Sequence, residues 1–228
     1  MKRIPVITID GPSGAGKGTI AKMLCFDLNW NILDSGALYR TLAFILDIKE
    51  IPLEDFSVHK EEIKNEFNVT FVLSKLDEPV QVFLNGKDIT KLVRTEKIAK
   101  KTSHISTSPE IRDFIRPCQR DFKRYPGLVA DGRDMGTVIF PEAELKIYLT
   151  ASLEERTKRR QTQLKRQGSE VNMRFLLKEL EARDKKDMER KLSPLKPAEG
   201  SIVIDTSNNS PEGVIKKIRS LPFNFLSK

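Results

Sequence analysis

The sequence predicts an α/β fold: a central five-stranded, mainly parallel sheet flanked by helices, with a small β-rich insertion and a helical lid. Three observations carry this. Five short apolar segments, IPVITI, NILD, GLVADG, ELKIYLT and SIVIDTS, are separated by stretches with helical spacing, the alternation that builds a parallel sheet covered on both faces. Between the second and third of them, NVTFVLSKLDEPVQVFLNGKDI alternates apolar and polar residues and has turn signals at DEP and NGKD, as hairpin strands do. The 228 residues, 39% apolar and 32% charged, suffice for one such domain with a sizeable core.

Taken in order, IPVITI is a buried first strand broken by glycines. KGTIAKMLCFDL follows as a helix, with Ile20, Leu24 and Leu28 four residues apart. NILD is the second strand, and SGALYRTLAFILDI the second helix, with Ser35 as its expected cap. The insertion is placed at 62–92, after a core segment at 1–61 that includes the glycine-rich loop and the start of a second binding region. Residues 93–150 hold the rest of that region and two core strands. There SPEIRDFIRPCQRDFKRY opens on a Ser-Pro-Glu helix signal and carries Pro117 as an expected kink. The charged helix SLEERTKRRQTQLKRQG stops at Gly168 and forms most of a lid at 151–170. A second charged helix, the last strand and the closing helix SPEGVIKKIRSL occupy 171–228, ahead of a tail, PFNFLSK, that either packs or frays.

Composition narrows the function. No run approaches eighteen apolar residues, so a membrane span is not expected. The opening MKRIPVITID reads as a strand leading into glycines, not as a secretion signal. Cys25 and Cys118 are far apart and form no metal or redox motif, which fits unlinked thiols in a reducing cytoplasm. The net charge of +8 raises the question of nucleic acid. However, fourteen Lys or Arg against eight Asp or Glu fall within 151–196, without aromatic interleaving, and such a patch suits a small, highly anionic substrate.

The chemistry begins at GPSGAGKGT. Gly11, Pro12, Ser13, Gly14, Ala15, Gly16, Lys17, Gly18 and Thr19 form a glycine-rich turn between strand and helix. In that context backbone amides converge on phosphate oxygens, and Lys17 supplies a mobile cation for the terminal phosphates. The usual loop has Ser or Thr directly after the lysine; here Gly18 stands there and the hydroxyl comes one residue later. Thr19 therefore fits phosphate binding or a metal water, and Asp10 fits either orientation of metal-bound water or support of the loop. The guanine-reading Asn-Lys-x-Asp sequence of GTP switches does not occur. A small-molecule kinase needs two bound substrates, positive charge between them and a cover against water.

Candidates for the second substrate lie at strand ends, where open α/β sheets bind ligands. DSGALYR carries Ser35 and Arg40; DGRDMGTVIFP carries Asp131, Arg133 and Asp134. Arg133 suits an acceptor phosphate, Asp134 an exocyclic amine, and Asp131 magnesium or its waters; loop capping is the alternative for each carboxylate. Arg183, Asp187 and Arg190 are spaced for one helical face, able to grasp sugar and phosphate or to form a surface ion-pair ladder. Arg156, Arg159 and Arg160 place cations on one side of the lid helix. His59 and His104 are not catalytic candidates, because an ionised acceptor phosphate needs no protein base.

GPSGAGKGT, DSGALYR, DGRDMGTVIFP and ARDKKDMERKLSPL occur in this order, and over nearly the whole chain the pattern resembles the bacterial cytidylate kinases, of the nucleoside monophosphate kinase group. The resemblance implies the phosphate-loop (P-loop) nucleoside monophosphate kinase fold and reversible transfer from ATP, with Mg2+, to CMP or dCMP. It implies cytosine contacts by Ser103, Arg112 and Asp134, and an acceptor phosphate held by Arg40, Arg133 and Arg190. Arg183 and Asp187 would address the pentose, while Lys17, with the lid arginines Arg156 and Arg160, would hold the donor phosphates and the transferred group. Gly18 is a departure shared by related monophosphate kinases. The insertion would border the acceptor site, aiding pyrimidine recognition through closure or supporting its neighbours. A monomer without stable nucleic-acid or membrane partners is expected. The competing functions are a related kinase with another acceptor, such as UMP or AMP, and a nucleotide-dependent binding protein.

Overall fold

A computed structural model of the chain describes residues 3–166, 168, 171–223 and 226. The expected lid end at 169–170, and residues 224–225 and 227–228 of the tail, lie outside the described residues. The sheet is built from β1 (Val6–Asp10), β2 (Asn31–Asp34), β6 (Leu128–Asp131), β7 (Leu145–Thr150) and β8 (Ile202–Asp205). All pairs are parallel, in the order β2-β6-β1-β7-β8. Alternation sorts the side chains to two cores. Val6, Leu128 and Ala130 face one core, and Ile7, Ile9 and Val129 the other. The first core is completed by α2 (Ser35–Ile48), α3 (Phe56–Glu66), α4 (Glu96–Ile105) and α5 (Pro109–Arg120), the second by α1 (Lys17–Leu28) and α8 (Pro211–Arg219). The two charged helices after β7 are α6 (Leu153–Arg166) and α7 (Met173–Glu189).

Register sets the site. Asp34 pairs with Asp131 across β2 and β6, and Ile9, one residue before Asp10, pairs with Asp131 across β1 and β6. Three carboxylates therefore emerge side by side at the carboxyl edge of the sheet, where the phosphate loop leaves β1. Gly11 makes that exit possible: at φ +147°, a Cβ there would sit 2.0 Å from the Leu149 carbonyl oxygen.

The insertion's strands are β3 (Val69–Val72), β4 (Gln81–Leu84) and β5 (Lys87–Asp88), an antiparallel sheet with its own register. Two helices border it that periodicity alone left unassigned. In α3, where five of eleven residues are charged, only Phe56 and Ile63 are buried. Phe56 and Phe67 meet Phe114 of α5 edge-on, each with centroids 5.4 Å away, contacts worth about 0.5–1.5 kcal/mol apiece beyond area burial. The other helix is α4, capped by Thr95 and buried at Ile98, Ala99, Thr102 and Ile105. The expectation that Ser35 caps α2 is corrected. Asp34 is the cap, its side chain accepting from Ala37 N at 2.9 Å, while Ser35 is the first helical residue and is buried. The helix α5 is capped by Ser108 as expected and runs through Pro117. Among the described residues, no helix is long and apolar enough to cross a membrane.

Candidate active site

Side chains that accept from the first turn cap α2, α4, α5, α7 and α8. In contrast, α1 begins on Gly16, at φ 88°, with no side-chain cap. Its first amides therefore stay available to an anion, and the helix dipole adds to their pull. Lys17 is buried in the loop, its Nζ donating to Pro12 O at 2.9 Å. Burial, with Arg133 adding repulsion, pushes its ammonium down to about 7. Thr19 is exposed at the mouth of the loop.

Two arginines of α6 brace this loop. Arg156 is buried, pairs with Asp184 at 2.6 Å and donates to Ser13 O at 3.2 Å. Arg159 reaches Gly14 O at 3.4 Å and Thr206 O at 2.5 Å. The cleft lining thus includes Arg159 and Arg160 but not Arg156, which sequence spacing could not separate. Arg160 pairs with Glu96 of α4.

Of the two roles open to Asp10, the geometry supports the structural one. Its two carboxylate oxygens accept from Met135 N and Gly136 N, each at 2.8 Å, tying β1 to the turn after β6. Burial raises its carboxyl to about 6, against the pull of those two bonds. Asp131 differs. Among the described residues none donates it a hydrogen bond, and a Cβ at Gly18 would lie 3.4 Å from its Oδ2. The missing loop hydroxyl is therefore matched by a free carboxylate across from Gly18. Burial pushes Asp131 up to about 7, partly offset by Lys17. One carboxylate beside a phosphate loop fits magnesium, which binds through few protein oxygens, phosphates and water.

A cavity of about 450 Å3 lies over the loop, lined by Lys17, Thr19, Asp34, Arg40 and Arg160 among others. A second, of about 70 Å3, joins Ser35, Ser103, Arg112, Arg133, Asp134, Arg183, Asp187 and Arg190. The two adjoin where Asp34 of one is followed by Ser35 of the other. Arg112 and Asp134 form a buried ion pair at its wall. Ser35 accepts from Gln119 Nε2 at 2.8 Å, a buried partner with no signal in the sequence.

Sequence spacing made Arg183 and Asp187 partners; instead Asp187 accepts from Arg133 Nε at 3.0 Å. Burial works to raise the Asp187 carboxyl, but Arg133 and Arg183 outweigh it and hold it below the usual range. Burial also brings Arg183 down to about 10, with Arg133 adding to the effect. Arg190 is not on the helical face: α7 ends at Glu189 and Arg190 is extended, donating from Nε to Ser193 O at 2.5 Å. It still reaches the same cavity. His59 is half-buried and His104 exposed, and they line neither cavity. A third cavity, of about 330 Å3, lies on the other side of the loop against Ile20, Thr206, Asn209, Pro211 and Val214. The signal for it was the chain order alone, since Thr206 and Asn209 follow the last strand directly.

A phosphate loop, a cationic cleft and an adjoining polar cavity on this sheet define a phosphotransferase of the nucleoside monophosphate kinase class. The family model of cytidylate kinases matches residues 7–222. A cytidylate kinase of Pseudomonas putida is 45% identical over 216 residues, 95% of this chain and 94% of that protein. One of Shewanella baltica OS155 is 44% identical over 236 aligned residues, covering 100% of this chain and 96% of its own. The chain belongs to the cytidylate kinase family, and its activity is that of a cytidylate kinase.

The position of Lys17 yields a testable consequence. Near pH 8 its ammonium is largely neutral in the free protein, since burial holds it near 7. Phosphate oxygens favour the charged form, so ATP binding at that pH is expected to take up a proton. Calorimetry in buffers of different ionisation enthalpy measures this directly, and uptake should fall towards zero as the pH is lowered to 6.

Proposed function

We propose that this enzyme joins magnesium-ATP and CMP or dCMP in the single cleft between the phosphate loop and the Arg112–Asp134 cavity. The supporting observation is that the cavity over the phosphate loop, lined by Lys17, Arg40 and Arg160, adjoins through Asp34 and Ser35 the cavity lined by Arg133, Arg183 and Arg190. Donor and acceptor phosphates that meet there are flanked by cations from both sides.

Residues 11–19 hold the donor phosphates, and the cavity beside Thr206 and Asn209 takes the donor's nucleoside. Arg40, Arg133 and Arg190 hold the acceptor phosphate; Ser103, Arg112 and Asp134 read the base, with Ser35 beside them. Arg183 and Asp187 address the pentose. An acceptor phosphate oxygen attacks the terminal phosphorus in line as the bond from that phosphorus to the β,γ-bridging oxygen breaks and ADP leaves, and Lys17 and Arg160 stabilise the charge that builds on the moving group. Arg156 acts from behind, by fixing the loop carbonyl of Ser13. Bound magnesium adds charge neutralisation on the donor phosphates, and Asp131 and Thr19 are the residues to hold it through water. One chain supplies every part of the cleft, which supports a monomer, and the two free thiols suit the cytoplasm.

Asp187→Ala tests the acceptor side. The change removes a pentose contact and frees Arg133, so KM for CMP is expected to rise about tenfold, as for loss of a charge-assisted hydrogen bond. KM for ATP should stay within about twofold. Equal changes in both constants would remove Asp187 from the acceptor site.

A further inference from the structure

The cleft over the phosphate loop holds more cations than phosphate transfer has so far used. Lys22 is committed: its Nζ donates to Leu76 O at 2.7 Å and Glu78 O at 2.5 Å, holding the segment between β3 and β4 against α1. Arg94 is not fully committed. It ends the short 3-10 turn Leu92–Arg94, anchored by the buried Val93. Its Nη2 donates to Val80 O at 2.9 Å and stands 3.8 Å from Asp34 Oδ2. Its Nε is buried and has no hydrogen-bond partner. Arg40 donates to Val93 O at 3.4 Å, and Arg40, Arg94 and Asp34 line the same cleft.

Anchoring Val80 requires one N–H, which a lysine would also provide. It does not explain a buried guanidinium N–H left without an acceptor, a group that costs stability wherever it stays unpaired. Two arginines beside one carboxylate also leave a net positive site, and a guanidinium fork matches phosphate oxygens. We propose that Arg94 is a phosphate-binding residue of the acceptor site, taking the phosphate dianion of the nucleoside monophosphate beside Arg40. Through Nη2 it keeps the Val80 carbonyl, so the same side chain joins the insertion to the occupied site. This rests on the cleft assignment above.

The test compares CMP with cytidine, which lacks the phosphate, by calorimetry or NMR titration on the whole chain. Arg94→Ala is expected to weaken CMP about tenfold or more, as for a charge-assisted hydrogen bond, and to leave cytidine within about twofold. Arg94→Gln keeps a donor for the Val80 carbonyl but no charge, and should weaken CMP while leaving cytidine within about twofold. If Arg94→Ala unfolds, Arg94→Lys keeps the Val80 contact and a charge, and should show a smaller loss confined to CMP. Equal weakening of CMP and cytidine, or of neither, in the folded Arg94 variant would reduce Arg94 to an anchor and overturn the proposal. Wild-type protein that binds CMP no more tightly than cytidine would instead overturn the cleft assignment itself.

Discussion

Lys17→Met is expected to lower kcat for CMP phosphorylation by about two to three orders of magnitude, the loss seen when one preorganised charge-stabilising donor is removed. The ammonium is the cation of the loop and lines the cleft beside the cavity that holds Arg133 and Arg183. Methionine keeps the length and apolar stem but supplies no charge to the moving phosphoryl group. The fold should not suffer. In the folded protein without nucleotide the ammonium is held near 7, far below its ordinary value of 10.5. A folded-state value depressed in this way makes the charged lysine a liability at pH 7 and below, and the liability fades as the pH rises towards 10.5. The variant should therefore melt no lower than the wild type at neutral pH, and its advantage should shrink as the pH is raised from 7 to 10. Thermal unfolding across that range, beside single-turnover rates, separates loss of chemistry from loss of structure. A variant that retains normal turnover would displace Lys17 from the reaction.

How much of this was legible differs from element to element, for physical reasons. The five strands could be read because each is a short, largely apolar run, a composition that burial on both faces demands of the central β1 and β6. The helix α4 carried a signal too, Thr95 as cap with Ile98, Thr102 and Ile105 in helical spacing, but it is embedded in a lysine-rich stretch that masks the period. In α3 only two side chains are buried, so periodicity had little to register. The site was legible as residue types and less so as partners. Spacing along one helix relates Arg183 to Asp187, but Asp187 is claimed by Arg133 from the end of β6, a contact that exists only once the sheet has formed. Likewise nothing local distinguishes Arg156, turned inward onto Asp184, from Arg160, which lines the cleft. Gln119 and Arg94 lay outside every motif because their partners, Ser35 and Val80, are distant in sequence.

Replacing Asp134 is expected to strike stability and specificity together. Its carboxylate and the Arg112 guanidinium are each about nineteen-twentieths buried, their side chains 5% and 6% exposed, at the wall of the acceptor cavity. Asp134→Ala would leave the guanidinium buried without its counter-charge, a loss of about 3–5 kcal/mol for a broken buried pair. Asp134→Leu combined with Arg112→Met removes both charges, and should recover much of that loss because no unpaired ion remains. Activity should not recover with it. An ionised carboxylate accepts from the exocyclic amine of cytosine and opposes the carbonyl that uracil carries in its place, and a site whose polar groups are left unpaired rejects the wrong base strongly. Both variants should therefore lose the preference for CMP over UMP, measured as the ratio of kcat/KM values, while urea unfolding reports the stability. Recovery of stability without recovery of the CMP preference would assign the pair to recognition at the expense of the fold. A stable double variant that still prefers CMP would move base selection away from Asp134 to other polar groups of the cavity, such as Ser35, Ser103 or Ser106.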